Sequence, residues 1–88
     1  MNTWHFQKEL YNERREPFVN ETRELTHQEA HILFTQEVGS AIADGYVINN
    51  IDHYSSYDGA DESFFIDLYK YDCPNLLIWV SNCWDVGY

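Results

Sequence analysis

Basic side chains are scarce in this sequence: 5 Lys and Arg stand against 15 Asp and Glu in 88 residues, a net charge of −10. Such a field repels nucleic acid and anionic membranes and attracts basic surfaces, so direct DNA, RNA or membrane binding is not expected. Long apolar runs are missing as well. With none approaching the roughly 18 residues that cross a bilayer, no spanning helix is expected. The opening stretch MNTWHFQKELYNERREPF has no basic start followed by an apolar segment, so it does not read as a secretion signal, and the expectation is a cytoplasmic location. Cysteine is limited to Cys73 and Cys83. The extended chain between them spans roughly 30 Å, far beyond the ~7 Å that a disulfide bridges, which predicts free thiols and a reducing compartment. Glycine-rich phosphate loops and a G-x-S-x-G nucleophile elbow are both absent, which removes the common signatures of phosphoryl and acyl transfer.

What is present is acid and aromatic. Residues 1–23 balance Lys8, Arg14, Arg15 and Arg23 against Glu9, Glu13, Glu16 and Glu21, whereas residues 24–88 hold 11 acids and a single base, Lys70. The whole net charge therefore lies in the second part. Aromatic residues make up 17% of the chain, which is not the composition of a disordered segment. The length allows one domain, residues 1–88, and one thin core.

The clearest element is a helix over about 27–44. Thr26 with Glu29 three residues on forms a capping-box pattern; Ala30, Leu33, Phe34, Val38, Ala41 and Ile42 follow at helical spacing, and Gly45 suits the C-terminal stop. Tyr46-Val47-Ile48 begins a strand, and Asn49-Asn50 marks a bulge in it. In Ser63–Asp72, Phe64, Ile66 and Leu68 share one face while Phe65, Asp67, Tyr69 and Tyr71 share the other. Asp72-Cys73-Pro74-Asn75 reads as a turn, and Leu76–Trp84 as a more continuously apolar strand. Phe6 and Leu10, like Gln7 and Tyr11, lie one helical turn apart, which predicts a short helix over about 3–15 that Pro17 would stop. The expected fold is α+β: the main helix packed on a three-stranded antiparallel meander, with residues 1–24 as a charge-balanced N-terminal segment that either covers the second sheet face or forms a separate contact arm.

Two stretches invite a chemical reading. His27-Gln28-Glu29-Ala30-His31 resembles a zinc-protease helix, but that pattern needs Glu directly after the first His. Here Glu29 points away from any ion the histidines would share, so they read as packed residues at the helix entrance. The stretch IDHYSSYDGADES, residues 51–63, fails as a calcium loop: counted from Asp52, the sixth position is Tyr57 and the twelfth is Ser63. Asp52 and His53 would point to opposite faces of a strand, and Asp58-Gly59 reads as a hairpin turn. No cofactor or metal is expected, and a small metal-dependent or hydrolytic enzyme is the least favoured reading.

The surface is the remaining candidate. Tyr54, Tyr57, Asp58, Asp61, Glu62, Asp67, Tyr69 and Asp72 are the expected contact residues, within an acidic rim that also takes in Asp52 and Asp85. Carboxylates would steer and pair with Arg or Lys, and tyrosines would supply contact area. Alternate strand residues lie roughly 6.6–6.8 Å apart, about two phosphate steps of a DNA strand, so the acids could imitate a short stretch of nucleic-acid backbone. In size and charge the chain resembles phage-encoded inhibitors of host defence, such as anti-CRISPR and anti-restriction proteins, and also immunity proteins and antitoxins that neutralise nucleases. That resemblance implies a non-enzymatic inhibitor acting by stoichiometric contact on a basic, nucleic-acid-processing protein.

Overall fold

The computed structural model describes residues 2–11 and 17–83. In chain order these form β1 (Asn2–Leu10), β2 (Pro17–Leu25), α1 (His27–Ala43), β3 (Val47–Ser55), β4 (Glu62–Tyr69) and β5 (Leu76–Ser81). All five strands join one sheet in the order β2-β1-β5-β4-β3, with every neighbouring pair antiparallel.

This overturns both the three-stranded meander and the N-terminal helix. Residues 2–10 are a strand that pairs with β2 on one side and β5 on the other. The reason lies in the periodicity. An i, i+4 pair such as Phe6 and Leu10 falls on one face of a helix and also on one face of a strand, because four is a multiple of the strand period. Trp4, two positions before Phe6, separates the two cases, and both are buried in the same core. Pro17 does not stop a helix; it opens β2 at the sheet edge, where a missing N–H costs no ladder bond. The first hairpin therefore widens the sheet instead of covering its second face, and Phe18 is exposed. Trp84 and Asp85, expected on the last strand and in the acidic rim, lie outside the described residues.

Strand β5 explains its own composition. It is the central strand, and Leu76, Ile78 and Val80 lie under the helix while Leu77 is buried from the other side. A strand with buried side chains on both faces reads as a continuous apolar run. The core joins Trp4 and Phe6 from β1, Phe64, Ile66 and Leu68 from β4, and Ala30, Phe34 and Ala41 from the helix.

Helix α1 begins where its capping box places it. Thr26 Oγ1 accepts from the Glu29 amide at 3.1 Å, and the Glu29 carboxylate accepts from the Thr26 amide at 2.9 Å. That backbone bond, with the Thr26 hydroxyl, holds the Glu29 carboxyl below its ordinary range. The helix ends at Asp44, and Gly45 follows with φ of 102°, a left-handed conformation that glycine adopts without strain. Ile42, expected on the apolar stripe, is exposed. Between the two ends the helix runs back along the sheet. His27 bonds Glu62 at the start of β4, and Glu37 pairs with Lys8 of β1 at 2.9 Å.

Replacing Trp4 with Ala is expected to lower unfolding free energy by about 3–5 kcal/mol. Ile66→Val, which trims one methylene from a fully buried side chain, is expected to cost about 0.5–1.5 kcal/mol. Urea titration followed by circular dichroism measures both. An unchanged midpoint for Trp4→Ala would be inconsistent with β1 as a core strand.

Candidate functional site

A single helix cannot cover this sheet. Outer strand axes of a five-stranded sheet lie about 19 Å apart, whereas a helix with its side chains is about 10–12 Å across. Helix α1 packs on β5 and β4 and reaches β2. Strand β3 is left outside, and all 9 of its residues are exposed. Between α1 and β3 lies an open groove of about 760 Å³.

The floor of this groove is Phe64. Its ring stacks on Phe34 at 5.3 Å, His53 at 4.8 Å and His31 at 5.5 Å between centroids. Val38 and Thr35 continue the helix wall, and Ile51 continues the β3 wall. The lining is mostly apolar, although Thr35 and Asp52 also border it, and it is most polar at one end, where three elements meet. There Glu62 accepts a hydrogen bond from His27 Nδ1 at 3.0 Å and another from His53 Nε2 at 2.8 Å. The Glu62 amide donates to Asn82 Oδ1 at 2.6 Å, and Asn82 Nδ2 donates to Ala60 O at 2.9 Å. His27 also stands edge-on to Trp4, 5.2 Å between ring centroids. Burial pushes the Glu62 carboxyl up, but the two imidazole hydrogen bonds and the histidine charges together outweigh it, so the group sits below its ordinary range. Among the described residues, no three His, Cys, Asp or Glu side chains gather closely enough to hold a metal ion.

The expected contact residues divide between the two ends of the β3–β4 hairpin. Tyr57, Asp58 and Asp61 occupy the turn and are exposed, with Tyr57 fully so; Tyr54 is exposed on β3 just before it. The turn is ordered by its own acids and hydroxyls. Asp58 Oδ1 accepts from the Ser56 hydroxyl at 2.7 Å and the Ala60 amide at 3.1 Å, which lowers the Asp58 carboxyl, and Gly59 takes φ of 77°. Tyr69 and Asp72 are exposed at the other end of β4, roughly 23 Å away along an extended strand. Two expected residues are not free surface acids. Glu62 turns inward to the histidines with its side chain only 18% exposed. Asp67 is half-buried and accepts from Asn49 Nδ2 and Asn75 Nδ2, both at 2.9 Å.

Sequence reasoning missed the His27–Glu62–His53 cluster. The available signal was the Asp58-Gly59 turn: once the hairpin is closed about it, His53 falls opposite Phe64 and diagonal to Glu62. The third member, His27, comes from α1 and no local pattern points to it. The second sheet face carries Phe65, as the alternation of β4 suggested, with Trp79 tilted beside it at 4.8 Å between ring centroids. The arrangement offers binding chemistry: an apolar trough, a paired imidazole–carboxylate end and an exposed strand edge. No protein-family model, curated protein or solved structure matches the chain. No helix among the described residues is long and apolar enough to cross a membrane.

Because the Glu62 carboxyl is depressed in the folded state, its contribution is fully present above the ordinary carboxylate range of about 4.3 and is lost as pH falls through its own lower value. Gln at this position offers one acceptor to two donors. Glu62→Gln is expected to reduce stability at neutral pH by about 1 kcal/mol, discounted for the exposed histidines. The gap between variant and parent should close below the ordinary carboxylate range. Denaturation at a series of pH values checks this, and a gap independent of pH would rule out the charged pairing.

Proposed function

We propose that the chain is a non-enzymatic inhibitor that binds, one to one, the basic nucleic-acid-binding surface of a target protein. The observation that supports this best is the charge on the outer hairpin and its turns: residues 44–75 carry 7 carboxylates and only Lys70 as a base. Asp52, Asp58, Asp61 and Asp72 are exposed there beside Tyr54, Tyr57 and Tyr69. Exposed carboxylates of one sign speed encounter with a basic surface, and tyrosines supply area that is lost to water on contact. The phosphate-like array is interrupted, since Glu62 faces the histidines and Asp67 is held by Asn49 and Asn75. Support therefore rests on charge complementarity and not on phosphate spacing. On this reading the target is a nucleic-acid-processing enzyme of a host defence system, met in the host cytoplasm.

The test pairs capture with inhibition. Immobilised protein and an Asp52→Asn/Asp58→Asn/Asp61→Asn variant are exposed to bacterial lysate at low and high salt, and any captured enzyme is then assayed with one equivalent of each. The expected result is capture by the parent that falls with salt and with the variant, together with loss of nucleic-acid binding by the target. Capture indifferent to both changes, or a captured enzyme that remains fully active, would sink the proposal.

A further inference from the structure

We infer that the outer edge of β3 is a docking site for an extended segment of the partner, one that alternates apolar and basic side chains and adds to the sheet as a further strand. This deepens the reading of the chain as a protein-binding inhibitor and rests on it for the partner's charge.

The first observation is the direction of the β3 backbone groups. The Ser56 amide donates to Asp61 O at 2.8 Å, immediately beyond the Ser55–Glu62 pair. Antiparallel partners alternate between exchanging both bonds and exchanging none. Tyr54 and Asp52 therefore bond inward to β4, and Ile51, His53 and Ser55 aim their N–H and C=O groups outward. The bulge between Ile48 and Asn50 lies upstream, so the register over Asn50–Ser55 is regular. Among the described residues, no strand pairs with this edge.

The second observation is a contrast between the two edges. Strand β2 starts at Pro17 and carries Glu21, Arg23 and Glu24, with Glu21 and Arg23 paired at 2.8 Å. Proline and charge are the usual guards of a sheet edge. Strand β3 has no proline and one charged residue, Asp52, its bulge is confined to Ile48–Asn50, and it presents Val47, Ile48, Ile51 and Tyr54 exposed.

The third observation is what flanks the edge. On the helix side, an incoming strand would lay alternate side chains over Ile51 and into the groove above Phe64, Phe34 and Val38. On the other side its intervening residues would stand beside Asp52, with Asp58 and Asp61 at the hairpin end. Apolar residues suit the first row and Lys or Arg the second. A second copy of this chain is disfavoured by the same charges, because each copy brings −10.

The probe is an end-blocked peptide of β3's length alternating valine and lysine, compared with valine–glutamate and glycine–lysine peptides. Amide hydrogen exchange by NMR is the readout. The expected result is slowed exchange at Ile51, His53 and Ser55 with the valine–lysine peptide alone. Ile51→Pro removes one outward donor and Ile51→Ala keeps it, so the proline variant should bind about tenfold more weakly than the alanine variant. Ser55→Pro repeats the comparison at the strand end, and protection of β4 and β5 amides reports folding. Equal binding of the glycine–lysine peptide without amide protection would overturn strand addition, and equal binding of the valine–glutamate peptide would overturn the charge assignment. Concentration-dependent protection of the same amides in the protein alone would assign the edge to a second copy and also overturn it. Failure here with salt-sensitive capture intact removes only the strand-addition inference; success here with no captured nucleic-acid enzyme removes only the proposed target.

Discussion

The mismatch in width between one helix and a five-stranded sheet governs most of this molecule. A helix covers only about half of such a sheet, so the core forms as a strip beneath it and the outer strands must be stabilised otherwise. On the β1 side Lys8 bridges the gap, its ammonium pairing with Glu37 and lying 5.6 Å from the Phe18 ring centroid, and leaves a smaller opening of about 470 Å³. On the β3 side it stays open, and Phe64 becomes both the outermost core residue and the floor of the groove.

The imidazole–carboxylate cluster holds the one end of that groove where helix and hairpin meet. Its position rests on two local devices and one long-range contact. The capping box fixes the first turn of α1, which puts His27 directly after Thr26 and above β4. The Asp58 turn fixes the hairpin register, which sets His53 beside Glu62. Asn82 then ties the Glu62 amide to the chain leaving β5. Two short-range devices and one long-range contact thus bring together residues from α1, β3 and β4.

Legibility from sequence tracked the locality of each interaction. The helix was readable because its cap, stripe and stop lie within one segment, and β4 because Phe64, Ile66 and Leu68 alternate strictly. Strand β1 was misread because its apolar spacing satisfies both periods. Strand β2 was invisible for a different reason: most of its residues are exposed, so PFVNETREL carries no core pattern at all. The exposed acids and tyrosines of the hairpin turn lie where a polar, glycine-containing loop belongs. Glu62 could not be assigned from its neighbours, since what turns it inward is a histidine 35 residues away. The continuous apolar run of β5 held an unused clue, because a meander would leave it as an edge strand, and edges are usually guarded by charge or proline, of which LLIWVS has neither.

The pairing of β1 with β5 has a consequence for how the chain is made. His5 sits opposite Ser81 and Leu10 opposite Leu76, so β1, made first of these five strands, finds its central neighbour only in the fifth. Contacts this distant in sequence raise contact order and slow folding. Until β5 emerges, Trp4 and Phe6 have only half of their seat. The β1–β2 pair must therefore wait, its aromatic face uncovered, until β5 is made, and the sheet cannot assemble strand by strand in chain order.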